Sequence, residues 1–188
     1  MENRHRKSIR LPGYDYSQNN SYFVTICTQG RKNLFGEIKN GELVLNEVGK
    51  MIKESWLAIP QFYLGAMLDE FVVMPNHFHG IILIVGADPC VCPGLGQSRG
   101  IAPTKSRVSL PIIIQRFKSF MANKYLKENK KPLWQRNYYE HIIRGEKSLD
   151  KIRNYIKANP TTWGNDVENS QSQELAVNKY YKNIFSVI

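Results

Sequence analysis

The chain has 188 residues, 42% apolar and 22% charged, enough to bury the core of one domain without cross-links. Its 26 Lys and Arg stand against 16 Asp and Glu, a formal net charge of +10 that favours a polyanionic partner, nucleic acid ahead of a membrane surface. The three cysteines, Cys27, Cys90 and Cys92, form neither a disulfide framework nor, without a second Cys pair, a zinc ribbon, so a reduced cytoplasm is the expected setting.

The first segment, residues 1–20, reads as a basic arm carrying Arg4, Arg6, Lys7 and Arg10. It is charged rather than apolar, and no later run approaches the roughly 18 apolar residues of a membrane span, so no leader or membrane anchor is expected. Tyr22 to Thr28, rich in aromatic and β-branched residues, predicts a strand. Asn40-Gly41 between Phe35–Lys39 and Glu42–Leu45 is a two-residue hairpin signal, because a type I′ turn needs positive φ at both central positions. Asn46 is placed to cap a helix over Glu47–Ile59 that Pro60 stops.

Leu64–Met74 and His77–Val85 predict two strands paired as a central antiparallel hairpin around a Pro75-Asn76 corner. Residues 86–108 hold Pro, Gly and Ser without apolar period and read as a long loop, with Cys90 and Cys92 as plain loop residues. Ser109 then caps a predicted helix to Lys127, its apolar face formed by Ile112, Ile113, Phe117, Phe120 and Met121. That helix interleaves Arg116, Lys118, Lys124 and Lys127 with aromatic rings, a mixture suited to phosphates and stacked bases. Trp134–His141 predicts a short aromatic strand. Ser148 opens a last helix through Leu149, Ile152, Tyr155 and Ile156 to Asn159, which Pro160 ends. This organisation gives an α+β fold, an open antiparallel sheet with helices packed on one face, over residues 21–164, followed by a tail at 165–188.

The residues with chemistry lie on two of these elements. In a strand, His77 and His79 project to one face while Phe78 points to the other. Taken alone, such a pair fits ordinary hydrogen-bonded strand histidines as well as a metal site. Tyr155 and Asn159, four apart, share one helix face, and each alone fits a packing or helix-end role. Together they are more specific: two imidazoles and an amide oxygen hold a divalent ion without cancelling its charge, next to a phenol that could attack phosphorus. Tyr138 and Tyr139 fit structural or stacking roles better. Asp69 or Glu70, on the strand beside the histidines, is placed to orient an imidazole. A His-x-His metallohydrolase barrel would need a longer chain of repeated βα units.

The stretch Arg6–Tyr16, Tyr22-Phe23-Val24-Thr25, Met74–His79, Phe117-Lys118-Ser119, Trp134-Gln135-Arg136 and Asn159-Pro160 closely resemble the single-tyrosine HUH transposases, specifically the REP-associated tyrosine transposases. The resemblance covers most of the chain up to Gly164. It implies a ferredoxin-like (RRM-like) sheet, Mg²⁺ or Mn²⁺ held by His77, His79 and Asn159, and Tyr155 as nucleophile. It also implies a single-stranded DNA substrate beside imperfect hairpins, cleaved through a 5′-phosphotyrosine by a monomer or homodimer. Arg4, Arg6, Lys7, Arg10, Arg116, Lys118 and Arg136 are the expected DNA contacts. The competing expectation is a catalytically silent nucleic-acid-binding module of the same fold.

Overall fold

The computed structural model describes residues 10–85, 108–166, 168 and 169. Arg4, Arg6, Lys7, Cys90 and Cys92 lie outside the described residues, as do most of the 86–108 segment and the tail beyond Asn169. The core is a four-stranded antiparallel sheet of β1 (Asn20–Cys27), β4 (Ala66–Val73), β5 (His77–Ile84) and β6 (Tyr139–Ile143), in the order β4-β5-β1-β6. With α1 (Glu47–Leu57) between β1 and β4, and α3 (Leu110–Asn129) between β5 and β6, this is the βαββαβ ferredoxin-like arrangement. A separate hairpin, β2 (Gly36–Lys39) and β3 (Glu42–Leu45), is inserted after β1. Its turn has φ of 51° at Asn40 and 81° at Gly41, the double positive φ anticipated from Asn-Gly.

Strand alternation divides the core in two. Tyr22, Val24, Ile26, Phe78 and Ile82 face α1 and α3, joining Trp56, Ile113, Phe117 and Met121. Phe23, Ile81 and Ile143 face the opposite way, onto Leu149, Ile152, Tyr155 and Ile156 of α4 (Glu146–Ala158). The α+β class and antiparallel sheet are as expected, and α1, α3 and the short α2 (Ile59–Phe62) do lie on one side. Helix α4 departs from that expectation: its strongly amphipathic sequence needs an apolar surface, and the second sheet face supplies it.

Other local expectations shift for identifiable reasons. The β4–β5 hairpin forms but is not central, because β1 inserts beside β5 and leaves β4 at an edge. Asn46 caps α1 through its Oδ1, which accepts from the Gly49 amide at 3.0 Å. Pro60 sits in the first turn of α2, where its missing N–H costs nothing. On α3 the buried stripe is Leu110, Ile113, Ile114, Phe117, Met121 and Tyr125, and Phe120, off that stripe, is 60% exposed. The last strand begins only at Tyr139, since Asn137 at φ 65° breaks the extended run and Trp134 makes a single bridge to Thr28. Gly145, not Ser148, occupies the cap position of α4. No helix among the described residues is long and apolar enough to cross a membrane.

Candidate active site

Adjacent strands set the positions of the two histidines. In the β1–β5 register, Thr25 pairs with His79 and Cys27 with His77, so all four side chains share the α4 face of the sheet. Phe78 points the other way, against Trp56 at 4.5 Å between ring centroids. Gly80 explains the end of the His-Phe-His-Gly run: a Cβ there would lie 2.7 Å from Trp56 Cζ2 and 2.8 Å from the Phe78 ring.

Each imidazole is oriented by a neighbour. His77 Nδ1 lies 2.8 Å from Asn76 Oδ1, and the Asn76 amide nitrogen donates to the carbonyls of Arg31 (3.2 Å) and Glu168 (2.7 Å). Since the Asn76 oxygen must accept, His77 carries its proton on Nδ1 and presents a bare lone pair at Nε2. His79 Nδ1 is 2.9 Å from Thr25 Oγ1. Both rings are fully buried, and burial drives the His77 pKa down to about 3 and that of His79 well below its ordinary value, with the neighbouring His77 adding to the depression. Both are therefore neutral at pH 7, the state in which imidazole binds a cation.

Helix α4 brings the phenol. Tyr155 packs edge-on against Phe23, and its hydroxyl sits 2.9 Å from His79 Nε2 and donates to Asp166 Oδ2 at 3.3 Å. One turn on, Asn159 Nδ2 donates to the same Asp166 oxygen at 2.6 Å. The three predicted groups of residues thus meet, and Asp166 joins them: one ligand atom each from His77, His79 and Asp166 lies within 4.8 Å of the others. By sequence Asp166 falls in the tail, and the expected ligands, two imidazoles and an amide oxygen, include no carboxylate. Only the turn through Pro160 and Gly164 folds it back over the end of α4, and no motif or period marks it.

Two buried acceptors in this cluster, His77 Nε2 and Asn159 Oδ1, have no hydrogen-bond partner among the described residues. Leaving such atoms buried and unpaired costs on the order of 1–3 kcal/mol each. Two imidazoles and a carboxylate, lone-pair donors converging in one place with the Asn159 amide bonded to that carboxylate, fit a divalent cation. The site is covered by its own chain: Tyr155 is 4% exposed, the Trp163 ring lies 5.8 Å from that of His77, and Glu168 pairs with Arg31 at 2.9 Å.

The remaining sequence candidates are elsewhere. Asp69 does not touch an imidazole; it receives Arg153 of α4 on both oxygens (3.1 and 2.6 Å), and Glu70 pairs with Lys157 at 2.8 Å. Arg10 is engaged by Glu140 at 2.5 Å and lies 4.3 Å over the Tyr138 ring, which places Glu140 on the α3 side of the sheet, away from Tyr155. Lys118 turns inward, donating to the carbonyls of Gln135 and Asn137, and burial pulls its pKa down to about 8. Arg116 and Arg136 are exposed.

No protein-family model matches the chain. A Haemophilus influenzae protein described as uncharacterized is 42% identical over 166 residues, spanning 86% of this chain and 92% of its own. The two belong to one family. Among solved structures, a REP-associated tyrosine transposase bound to a REP hairpin superposes with a TM-score of 0.56 at 18% identity, over 85% of this chain and 75% of that one. This chain has the REP-associated tyrosine transposase fold.

Proposed function

We propose that this chain is a divalent-metal-dependent DNA strand transesterase, a transposase that cuts and rejoins single-stranded DNA beside hairpins. The observation that carries the reading is the Tyr155 hydroxyl 2.9 Å from His79 Nε2, inside a cluster where the buried Nε2 of His77 has no partner among the described residues. The shared fold with a transposase that binds a REP hairpin, and the net charge of +10, support a DNA substrate of the same kind.

In this mechanism His77, His79 and Asp166 would hold Mg²⁺ or Mn²⁺, with the buried amide oxygen of Asn159 as a fourth candidate ligand. Bound there, the ion supplies Lewis-acid polarisation of a phosphate oxygen. Tyr155 Oη attacks the phosphorus as its proton passes towards Asp166 Oδ2, the acceptor 3.3 Å away. The bond from phosphorus to the 3′ oxygen breaks, leaving a 5′-phosphotyrosine and, after protonation, a free 3′-hydroxyl. Rejoining reverses the step, so the bond energy is kept and no nucleotide triphosphate is needed. Because Tyr155 and all four candidate ligands come from one chain, the site acts in cis. Asn76 holds His77 with its proton on Nδ1, Thr25 fixes the orientation of the His79 ring, and Arg153 on Asp69 fixes the helix that bears the nucleophile.

Incubation with labelled hairpin-flanked single-stranded DNA and Mn²⁺ tests this. A covalent adduct abolished by EDTA and by Tyr155→Phe is the expected result. Hairpin binding that is salt-sensitive, indifferent to EDTA and without adduct would instead identify a silent binding module.

A further inference from the structure

A second surface feature lies on the opposite side of the sheet from Tyr155. Between the end of α1, α2 and the middle of α3 opens a groove of about 510 Å³, within the size range of ligand-binding clefts. Two of its rings, Phe62 at 77% and Phe120 at 60% exposure, are among the most exposed large apolar side chains described, which is unusual for phenylalanine. Tyr63 and the buried Phe117 complete the aromatic lining.

The cations are arranged with the rings. Arg116, Phe120 and Lys124 follow one another at four-residue spacing on α3, so they form a single ridge of charge, ring and charge along the groove. Neither Arg116 nor Lys124 has an ion pair among the described residues, and Glu54 is the one acid among the lining residues. Flat apolar faces next to unpaired cations suit an anionic occupant with flat rings of its own. Single-stranded nucleic acid is that occupant: bases stack on phenylalanine while phosphates meet Arg and Lys.

Charge disfavours the alternatives. A second copy carries +10 of its own. The chain segments outside the described residues are basic as well: 170–188 has Lys179 and Lys182 against Glu174, and 86–107 has Arg99, Lys105 and Arg107 against Asp88. We propose that the groove between α2 and α3 is a docking site for a single-stranded stretch of DNA, separate from the Tyr155 site and on the other face of the sheet. This rests on the DNA reading above and adds where the strand is held.

The test measures binding of a fluorescent, hairpin-free oligonucleotide to the full chain by anisotropy, in EDTA, across a salt series. Phe62→Ala/Phe120→Ala should weaken binding by about tenfold or more, since a base stacked on an aromatic ring contributes on the order of 1–3 kcal/mol. Arg116→Gln/Lys124→Gln should weaken it by a similar factor and lower the slope of log K against log salt by about 1.4, two phosphates at roughly 0.7 each for single strands. All four side chains are exposed, so circular dichroism should show both variants folded. Affinity and slope unchanged in both variants overturns the proposal. If unchanged affinity comes with an altered sedimentation coefficient, or with faster proteolysis within 170–188, the groove belongs to a second copy or to that segment. Loss of DNA affinity in these variants, alongside a wild-type chain that forms no covalent adduct, would uphold the groove and reject the strand-cutting reading.

Discussion

The hydroxyl of Tyr155 and Nε2 of His79, 76 residues apart in sequence, lie 2.9 Å from each other in the core between the sheet and α4. At that distance the two groups share a hydrogen bond, so the phenol lies beside whatever the imidazole face binds.

Metal binding should be visible without DNA. A ligand at one hundred times its Kd stabilises the folded state by about 2.7 kcal/mol, which for a chain of this size is a rise in Tm of about 5–10 °C. Mn²⁺ should produce such a shift in the wild type. His77→Ala should abolish it, and Asp166→Asn should reduce it, because Asp166 supplies the cluster's only charged ligand. An equal shift in all three proteins would remove the cluster from consideration as the metal site.

Acid should weaken the fold through the same histidines. Burial holds His77 at about 3 and His79 well below its ordinary value, whereas both return to about 6.5 when unfolded. Between these limits the unfolded chain binds protons that the folded chain does not, so their contribution is complete above about pH 6.5 and declines as pH falls towards 3. Urea midpoints without metal should therefore drop steadily from pH 7 to pH 4, and His77→Gln should flatten that slope. A midpoint independent of pH over this window contradicts the burial assigned to the pair.

Helix α4 is held to the edge strand by the Arg153 guanidinium on both oxygens of Asp69, a clamp two residues before the nucleophile. Arg153→Ala should slow adduct formation by about tenfold to a hundredfold, the scale of effects from displacing a reacting group by an ångström, with little change in the metal-induced Tm shift. Lysine cannot reproduce the forked contact, so Arg153→Lys should restore only part of the rate. If the alanine variant cuts at the wild-type rate, the clamp has no part in positioning Tyr155.

Gly80→Ala tests the packing behind the histidines. The added methyl meets the Trp56 and Phe78 rings at 2.7–2.8 Å, and overpacking of this kind costs about 1–3 kcal/mol. Thermal unfolding of the metal-free protein should show the loss. A variant as stable as wild type would mean that Trp56 yields without penalty.

Several parts of this arrangement were legible from residues alone, and for local reasons. The Asn40-Gly41 turn, the Asn46 cap and the alternation that separates Phe78 from its flanking histidines each depend on a few neighbouring residues. Strand order depends on contacts far apart in sequence, so neither the edge position of β4 nor the second sheet face covered by α4 is readable from local pattern. Phe120 lies off the buried stripe because the side of α3 that is covered depends on what the helix meets, not on its composition. The orienting partners Thr25 and Asn76 become visible only with the register in hand. Asp166 depends on a chain reversal after α4 that no residue pattern announces.

The most direct test of the central claim is mass spectrometry of the trypsin-digested DNA adduct. The account predicts the nucleotide phosphate on the peptide from Asn154 to Lys157, which contains Tyr155 and no other tyrosine. Label on the peptide bearing Tyr138 and Tyr139, or no labelled peptide after incubation with Mn²⁺ and hairpin-flanked DNA, would contradict it.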